Sequence, residues 1–226
     1  MKYSKIAAGR FLSRPNRFIA EVEIEGKIEI CHVKNTGRCR ELLLPGVTVF
    51  LEESDNPKRS TKYDLVAVNK GKMLINVDSM APNKAVFEFL KSGQLFENVA
   101  KIRPEMTWGD SRFDFYVETE NDRIFIEVKG VTLENDGVVM FPDAPTERGV
   151  KHINELISAK SAGYKTYVFF VIQMSECKYF TPNRVTHPEF ADALRRAKEQ
   201  GVEILAYNCY LTPDSMELSS PVEVKL

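Results

Sequence analysis

From residue 18 to residue 78, apolar and polar positions alternate in short runs: FIAEVEI, KIEICHV, VTVFLEE, DLVAVNK and KMLINVD. Such a period of two is the mark of strands with one buried face. Turn signals separate the runs at Glu25–Gly26, Thr36–Gly37, Pro45–Gly46, residues 54–60 and Lys70–Gly71. Five short strands with no long helix between them predict a small all-β barrel of the OB type over residues 1–80. The pattern turns helical at Ala81–Pro82, and residues 81–226 read as α/β. A helix over NKAVFEFLKSG precedes the strands SRFDFYVE (111–118) and RIFIEVKG (123–130), then a hairpin-like stretch, VTLENDGVVMFPDAP. The helix ERGVKHINELISAKSAG, the apolar strand YKTYVFFVIQ, the helix PEFADALRRAKEQG and the strand VEILAYNCYL complete the chain. In the 147–163 helix, Val150, Ile153, Leu156 and Ile157 form the predicted buried stripe, which leaves Arg148, His152 and Glu155 on the outer face.

Candidate chemistry lies on the two strands at 111–130. Side chains alternate along a strand, so Glu127 and Lys129 face one way and Val128 faces the packing behind them. Asp114 on the neighbouring strand adds a second carboxylate. An ExK triplet alone is more often a solvated ion pair than a site. A carboxylate within an apolar strand changes that balance, because burying it is costly without a partner. Two carboxylates and an amine suit a divalent cation, Mg²⁺ or Mn²⁺, which takes one or two carboxylates plus waters and phosphate oxygens. Asp114 and Glu127 are the expected ligands, with the Val128 carbonyl and Glu88 as further oxygen donors, and Lys129 as the charge beside the attacked phosphate. Helix, three strands, helix and strand, with D…ExK on strands two and three, resembles the PD-(D/E)XK nuclease core. The literal Pro142–Asp143 pair falls after ExK, in the wrong order for that motif.

Net charge is −1, which does not by itself point to nucleic acid, but its distribution does. Residues 1–80 carry 14 Lys and Arg against 10 Asp and Glu, and the remainder 17 against 22. A positive half beside a carboxylate-rich half suits a polyanion held near a metal. Residues 1–5 alone read as a solvated basic arm. Cys31, Cys39, Cys177 and Cys209 form no CxxC pair and read as free thiols of a cytoplasmic protein. No segment approaches the roughly 20 apolar residues of a membrane span.

Asn35, Thr36 and Gly37 predict a tight turn from which Arg38 projects. Consecutive N–H groups there can cradle an anion, although spacing alone favours an ordinary hairpin turn with a solvent arginine. The run HVKNTGRCRELLLPG, together with RFDFYVE, IFIEVKGVTLE, FPDAPTERGVKHINELI and YVFFVIQ, resembles the sugar fermentation stimulation (SfsA) family over roughly residues 10–210. The resemblance implies an OB-like domain, a PD-(D/E)XK nuclease-like domain and DNA binding without clear sequence specificity. It places Asp114, Glu127 and Lys129 at the nuclease positions, and Asn35, Thr36, Gly37 and Arg38 in the family loop. Thr146, Arg148 and His152 match the start of the helix after the hairpin, with Arg148 and His152 as an expected phosphate clamp. The expected activity is metal-dependent cleavage of DNA. The alternatives are a catalytically silent DNA-binding regulator of sugar (maltose) metabolism and, with no motif behind it, a small-ligand sensor. A homodimer is compatible with the sequence.

Overall fold

The computed structural model describes residues 1–35 and 37–226. Strands β1 (Ile6–Asn16), β2 (Ile19–Ile24), β3 (Lys27–Val33), β4 (Thr48–Glu53) and β5 (Tyr63–Lys70) form a closed barrel. β1 pairs antiparallel with β2 and β4, β2 with β3, and β4 with β5, while β3 runs parallel to β5 and closes the ring. The expected OB-like barrel is present, with one change of membership. KMLINVD forms β6 (Met73–Asn76), a hairpin extension of β5 outside the ring, and β1 takes its place. β1 hides from a period-two reading because bulges in its pairing with β2 break the alternation. The β2–β3 turn is as expected: Glu25 and Gly26 both take positive φ, 50° and 77°, as a two-residue hairpin turn requires.

The second unit follows α1 (Ala81–Lys91). Its sheet has the order β15–β14–β12–β9–β8–β7, built from β7 (Val99–Trp108), β8 (Ser111–Thr119), β9 (Arg123–Val131), β12 (Lys165–Ile172), β14 (Glu203–Thr212) and β15 (Ser215–Pro221). β7, β8 and β9 form an antiparallel meander, and β9, β12 and β14 run parallel. A small sheet of β10 (Leu133–Asn135), β11 (Val138–Phe141) and β13 (Tyr179–Pro182) flanks it. α2 (Glu147–Ser161) and α3 (Pro188–Glu199) cover one face and α1 the other. Along β9 the faces alternate: Phe125 joins the α2 side, while Ile124, Ile126 and Val128 join the α1 side. A strand buried on both faces reads as a near-continuous apolar run, so the charged Glu127 within it needs its own explanation.

Residues 1–5 are not a solvated arm. Met1 and Tyr3 are buried, the Tyr3 N–H donates to the Asp214 carbonyl at 2.8 Å, and the Met1 ammonium meets Glu88 Oε2 at 2.5 Å. This segment buries apolar side chains against α1 and β15, which a hydrated arm could not do.

Between the two units runs a buried polar seam. The Gln173 side-chain amide donates to the Asn76 and Asp78 carbonyls, the Asn76 amide donates to Tyr3 Oη, and that hydroxyl donates to Asp78 Oδ2. Asp78 is fully buried, and Lys34 Nζ lies 3.7 Å from its Oδ2. Lys34 also meets Asp64 at 3.0 Å and Glu52 at 3.2 Å, and Arg59 and His32 complete the shell of Asp64. Burial alone would raise the Asp64 pKa, but hydrogen bonds from Arg59, Lys34 and His32 outweigh it and hold the carboxyl far below the ordinary range.

A folded pKa below the unfolded one means that Asp64 stabilises the fold fully above about pH 4 and progressively less as pH falls through the folded value. We expect Asp64→Asn to cost about 1–2 kcal/mol at neutral pH, since it removes the buried carboxylate shared by three partly exposed cations, Arg59, Lys34 and His32. Urea unfolding across pH 2–7 should show a shallower acid dependence in the variant. Parallel pH curves would refute the assignment.

Candidate active site

The β8–β9 ladder runs from Glu118–Arg123 to Phe115–Ile126 and ends there. Just beyond it, Asp114 Oδ2 accepts the Val128 N–H at 2.8 Å, so a side chain takes over the bridging between strands. Asp114 sits where β8 turns over: Phe113 packs on the α2 side against Phe125, and Phe115, two residues on, stacks on Phe87 of α1. Oδ1 of Asp114 accepts from the Asn83 amide of α1 at 2.7 Å. Burial, and then the charge of Glu127, raise the Asp114 pKa against the lowering effect of the Val128 N–H and Asn83.

Glu127 is 2 % exposed. Its Oε1 accepts from Lys129 Nζ at 2.5 Å and from His152 Nδ1, while its Oε2 is buried without a hydrogen-bond partner. Burial would push the Glu127 pKa up, but the His152 hydrogen bond and the Lys129 charge outweigh it and hold the carboxyl below its ordinary value. Two neighbouring acids thus have pKa values driven in opposite directions, a pattern that marks sites more often than surfaces. Gly130 follows Lys129 because the space is taken: a Cβ there would lie 2.9 Å from the Pro82 ring and closer still to the Gln173 amide oxygen.

Asp114, Glu127, Val128 and Lys129 therefore come together, and two expectations need correction. Glu88 lies elsewhere, pairing with the Met1 ammonium from a side chain 58 % exposed; Asn83, one and a half turns earlier in α1, reaches Asp114 instead. His152 is not on an exposed face. It is buried with Ile153 and Leu156, because Glu127 offers the imidazole a partner inside the packing. Arg148 is exposed as expected, and its Nε donates to His152 Nε2 at 3.3 Å. Thr146 caps α2, its Oγ1 accepting the Gly149 N–H at 3.1 Å.

In the barrel loop, Thr36 lies outside the described residues. Asn35 Oδ1 accepts the Gly37 N–H at 2.7 Å, and its amide donates to the Val77 carbonyl at 3.0 Å, so Asn35 braces the turn rather than facing solvent. A Cβ on Gly37 would fall 2.6 Å from Asp143 Oδ2, which places this loop against the β11–α2 connection. Arg14 organises the loop. One Nη donates to the Gly37 and Arg38 carbonyls, the other to those of Arg17 and Asn35, all within 2.9 Å. A pocket of about 290 Å³ opens here between Arg14, Arg17, Arg38 and Arg40. Arg17, Arg38 and Arg40 have no carboxylate partner among the described residues. The excess of basic residues over positions 1–80 points to this half of the chain, but not to the fold's gathering of these arginines.

The donor set fits a hard divalent cation. Among the described residues no group of three or more His, Cys, Asp or Glu forms a ready cage. Two carboxylates with one unclaimed buried oxygen are nonetheless what such an ion needs when water and phosphate complete its shell.

Comparison with known proteins closes the question of kinship. Residues 12–77 match the family model described as SfsA N-terminal OB domain, and residues 80–215 match the sugar fermentation stimulation protein RE domain. A sugar fermentation stimulation protein homolog from Desulfitobacterium hafniense (strain Y51) is 61% identical over 226 residues, covering 100% of this chain and 99% of the relative. The homolog from Clostridium beijerinckii is 57% identical over 226 residues, covering all of both chains. A solved structure of Pyrococcus furiosus SfsA, described as in complex with Ca²⁺, superposes with a TM-score of 0.91 at 29% identity, over 100% of this chain and 98% of that one. With a barrel and a second domain that both match and near-complete coverage throughout, the chain belongs to the sugar fermentation stimulation protein (SfsA) family.

Proposed function

We propose that this chain binds DNA and cleaves its phosphodiester bonds at a PD-(D/E)XK-like site dependent on Mg²⁺ or Mn²⁺. The observation that carries this reading is the unpartnered, buried Oε2 of Glu127 beside the desolvated carboxyl of Asp114. A buried carboxylate with one oxygen left without a donor, beside a second, half-buried acid, is costly even with Lys129 at its other oxygen, and a divalent ion would offset both. The P. furiosus relative is described as in complex with Ca²⁺, which supports a divalent cation as a ligand of this chain. When bound, such an ion supplies Lewis acidity and a water of lowered pKa.

The chain's own residues do the rest. Asp114, fixed by the Val128 N–H and Asn83, and Glu127, fixed through its Oε1, would hold the cation. Lys129, released from Glu127, would offset charge on the attacked phosphate. Arg17, Arg38 and Arg40 would hold strand phosphates without reading sequence. Exposed Arg148 would add a contact at the start of α2. Free cysteines, with the Cys31, Cys39 and Cys209 thiols pushed up to about 12 by burial, support a reducing compartment and hence a cytoplasmic location. No helix of the described residues is long and apolar enough to cross a membrane.

Supercoiled plasmid incubated with Mg²⁺ or Mn²⁺ should be nicked, and EDTA should prevent it. Lys129→Ala and Glu127→Gln should each slow nicking by about 100-fold. Wild type that leaves DNA intact across metals while still binding it would sink the nuclease reading and favour a silent DNA-binding regulator, which the unpaired arginines would serve equally well.

Binding itself should be strongly salt-dependent. Replacing Arg17, Arg38 and Arg40 with alanine should reduce the slope of log K against log salt by up to about 3, with little effect of DNA sequence. An unchanged slope in fluorescence anisotropy titrations would remove these arginines from the interface.

A further inference from the structure

Lys129 and His152 both donate to the same oxygen of Glu127, which looks redundant for one buried carboxylate. The two donors differ in how firmly they are held. Lys129 is a flexible ammonium on a strand that opens to the site, with a side chain 16 % exposed. His152 is 6 % exposed, rises from the second turn of α2, and is fixed by its neighbours: Phe113 meets its ring edge-on at 6.3 Å, and Arg148 Nε donates to its Nε2. A guanidinium N–H can only donate, so Nε2 must accept. That leaves the imidazole with its proton on Nδ1, facing Glu127. Oε1 is thereby held from the helix side, and Oε2 remains without a donor.

We propose that His152 is the positioning residue of Glu127: it holds Oε1 through Nδ1–H, so that Oε2 stays turned toward a divalent cation when Lys129 leaves to meet a phosphate. This rests on the metal site proposed above. Arg148 sets the tautomer, so one arginine at the start of α2 has two tasks. Its Nε orders the histidine, and its Nη groups are available to a strand phosphate. Hydrogen-bond partners of metal-ligating side chains act in this way generally, and losing one typically costs about 10- to 100-fold in metal affinity.

The test is Mn²⁺ titration of the full chain, followed by calorimetry, for wild type, His152→Ala, His152→Asn and Glu127→Gln, with a melting curve of each metal-free protein. The asparagine amide can donate from near the Nδ1 position. His152→Ala should therefore bind Mn²⁺ about 10- to 100-fold more weakly, and His152→Asn should recover most of that loss. Mn²⁺ binding by His152→Ala equal to wild type, or no rescue by asparagine in a folded variant, overturns the proposal while Glu127 stands as a ligand. Glu127→Gln that binds like wild type overturns the metal site and this role with it. An independent readout needs no metal: ¹⁵N-detected imidazole spectra, with three histidines in the chain, should show His152 as the Nδ1–H tautomer. They should also show that pattern lost in Arg148→Ala. An Nε2–H tautomer in wild type refutes it.

Discussion

A charged carboxylate at the middle of a mixed sheet covered on both faces is an expensive object, and much of the second unit is arranged around the one at Glu127. Transfer of an isolated carboxylate into a dry interior costs far more than a fold can spare, so a cation or several donors must meet it. Lys129 comes from the same strand and His152 from α2, and Asp114 is anchored nearby by a backbone N–H and by Asn83 of α1. β8, α1 and α2, which all pack on β9, each send a polar group to this point. The register of the sheet, the rotation of α2 and the approach of α1 are tied together by electrostatics as well as by apolar burial.

The barrel is attached to this unit by a second set of buried polar groups. Asn76, Asp78, Tyr3 and Gln173 satisfy one another at the seam, and Gly130 leaves room for the Gln173 amide directly behind Lys129. A satisfied polar network is directional in a way that apolar contact is not, and it rigidifies what it joins. The arginine-rich loop of the barrel and the carboxylates of the sheet are therefore held in a fixed relation. That is what a polyanion touching both would require.

Sequence patterns were informative where a single element carried the signal. The alternation in residues 18–78 announces an OB-like barrel, and the charged pair inside RIFIEVKG marks the point on an otherwise apolar strand where Glu127, Lys129 and Asp114 come together. They failed where the decisive partner came from a distant part of the chain. Helical periodicity puts His152 outside because it is polar; only the contact with Glu127, 25 residues earlier, explains why it is inside. Glu88 lies on the right helix at the wrong turn, and Asn83, with nothing to distinguish it locally, is the residue that reaches Asp114. β1 is irregular because its bulges serve barrel closure, and Arg14 is ordinary until the fold presents it with four carbonyls.

The contact between Tyr3 and Asp214 has a consequence for the order of assembly. The Tyr3 N–H donates to the Asp214 carbonyl, and the Met216 N–H donates to the Met1 carbonyl. These first residues gain their partners only when the turn before β15 exists, more than two hundred positions later. On a ribosome, which extends a chain at roughly 5–20 residues per second, the front of this protein has to wait some tens of seconds for its place in the fold. The barrel ring can close as soon as β5 has emerged, but its leading edge stays unsewn until the turn before β15 has emerged as well.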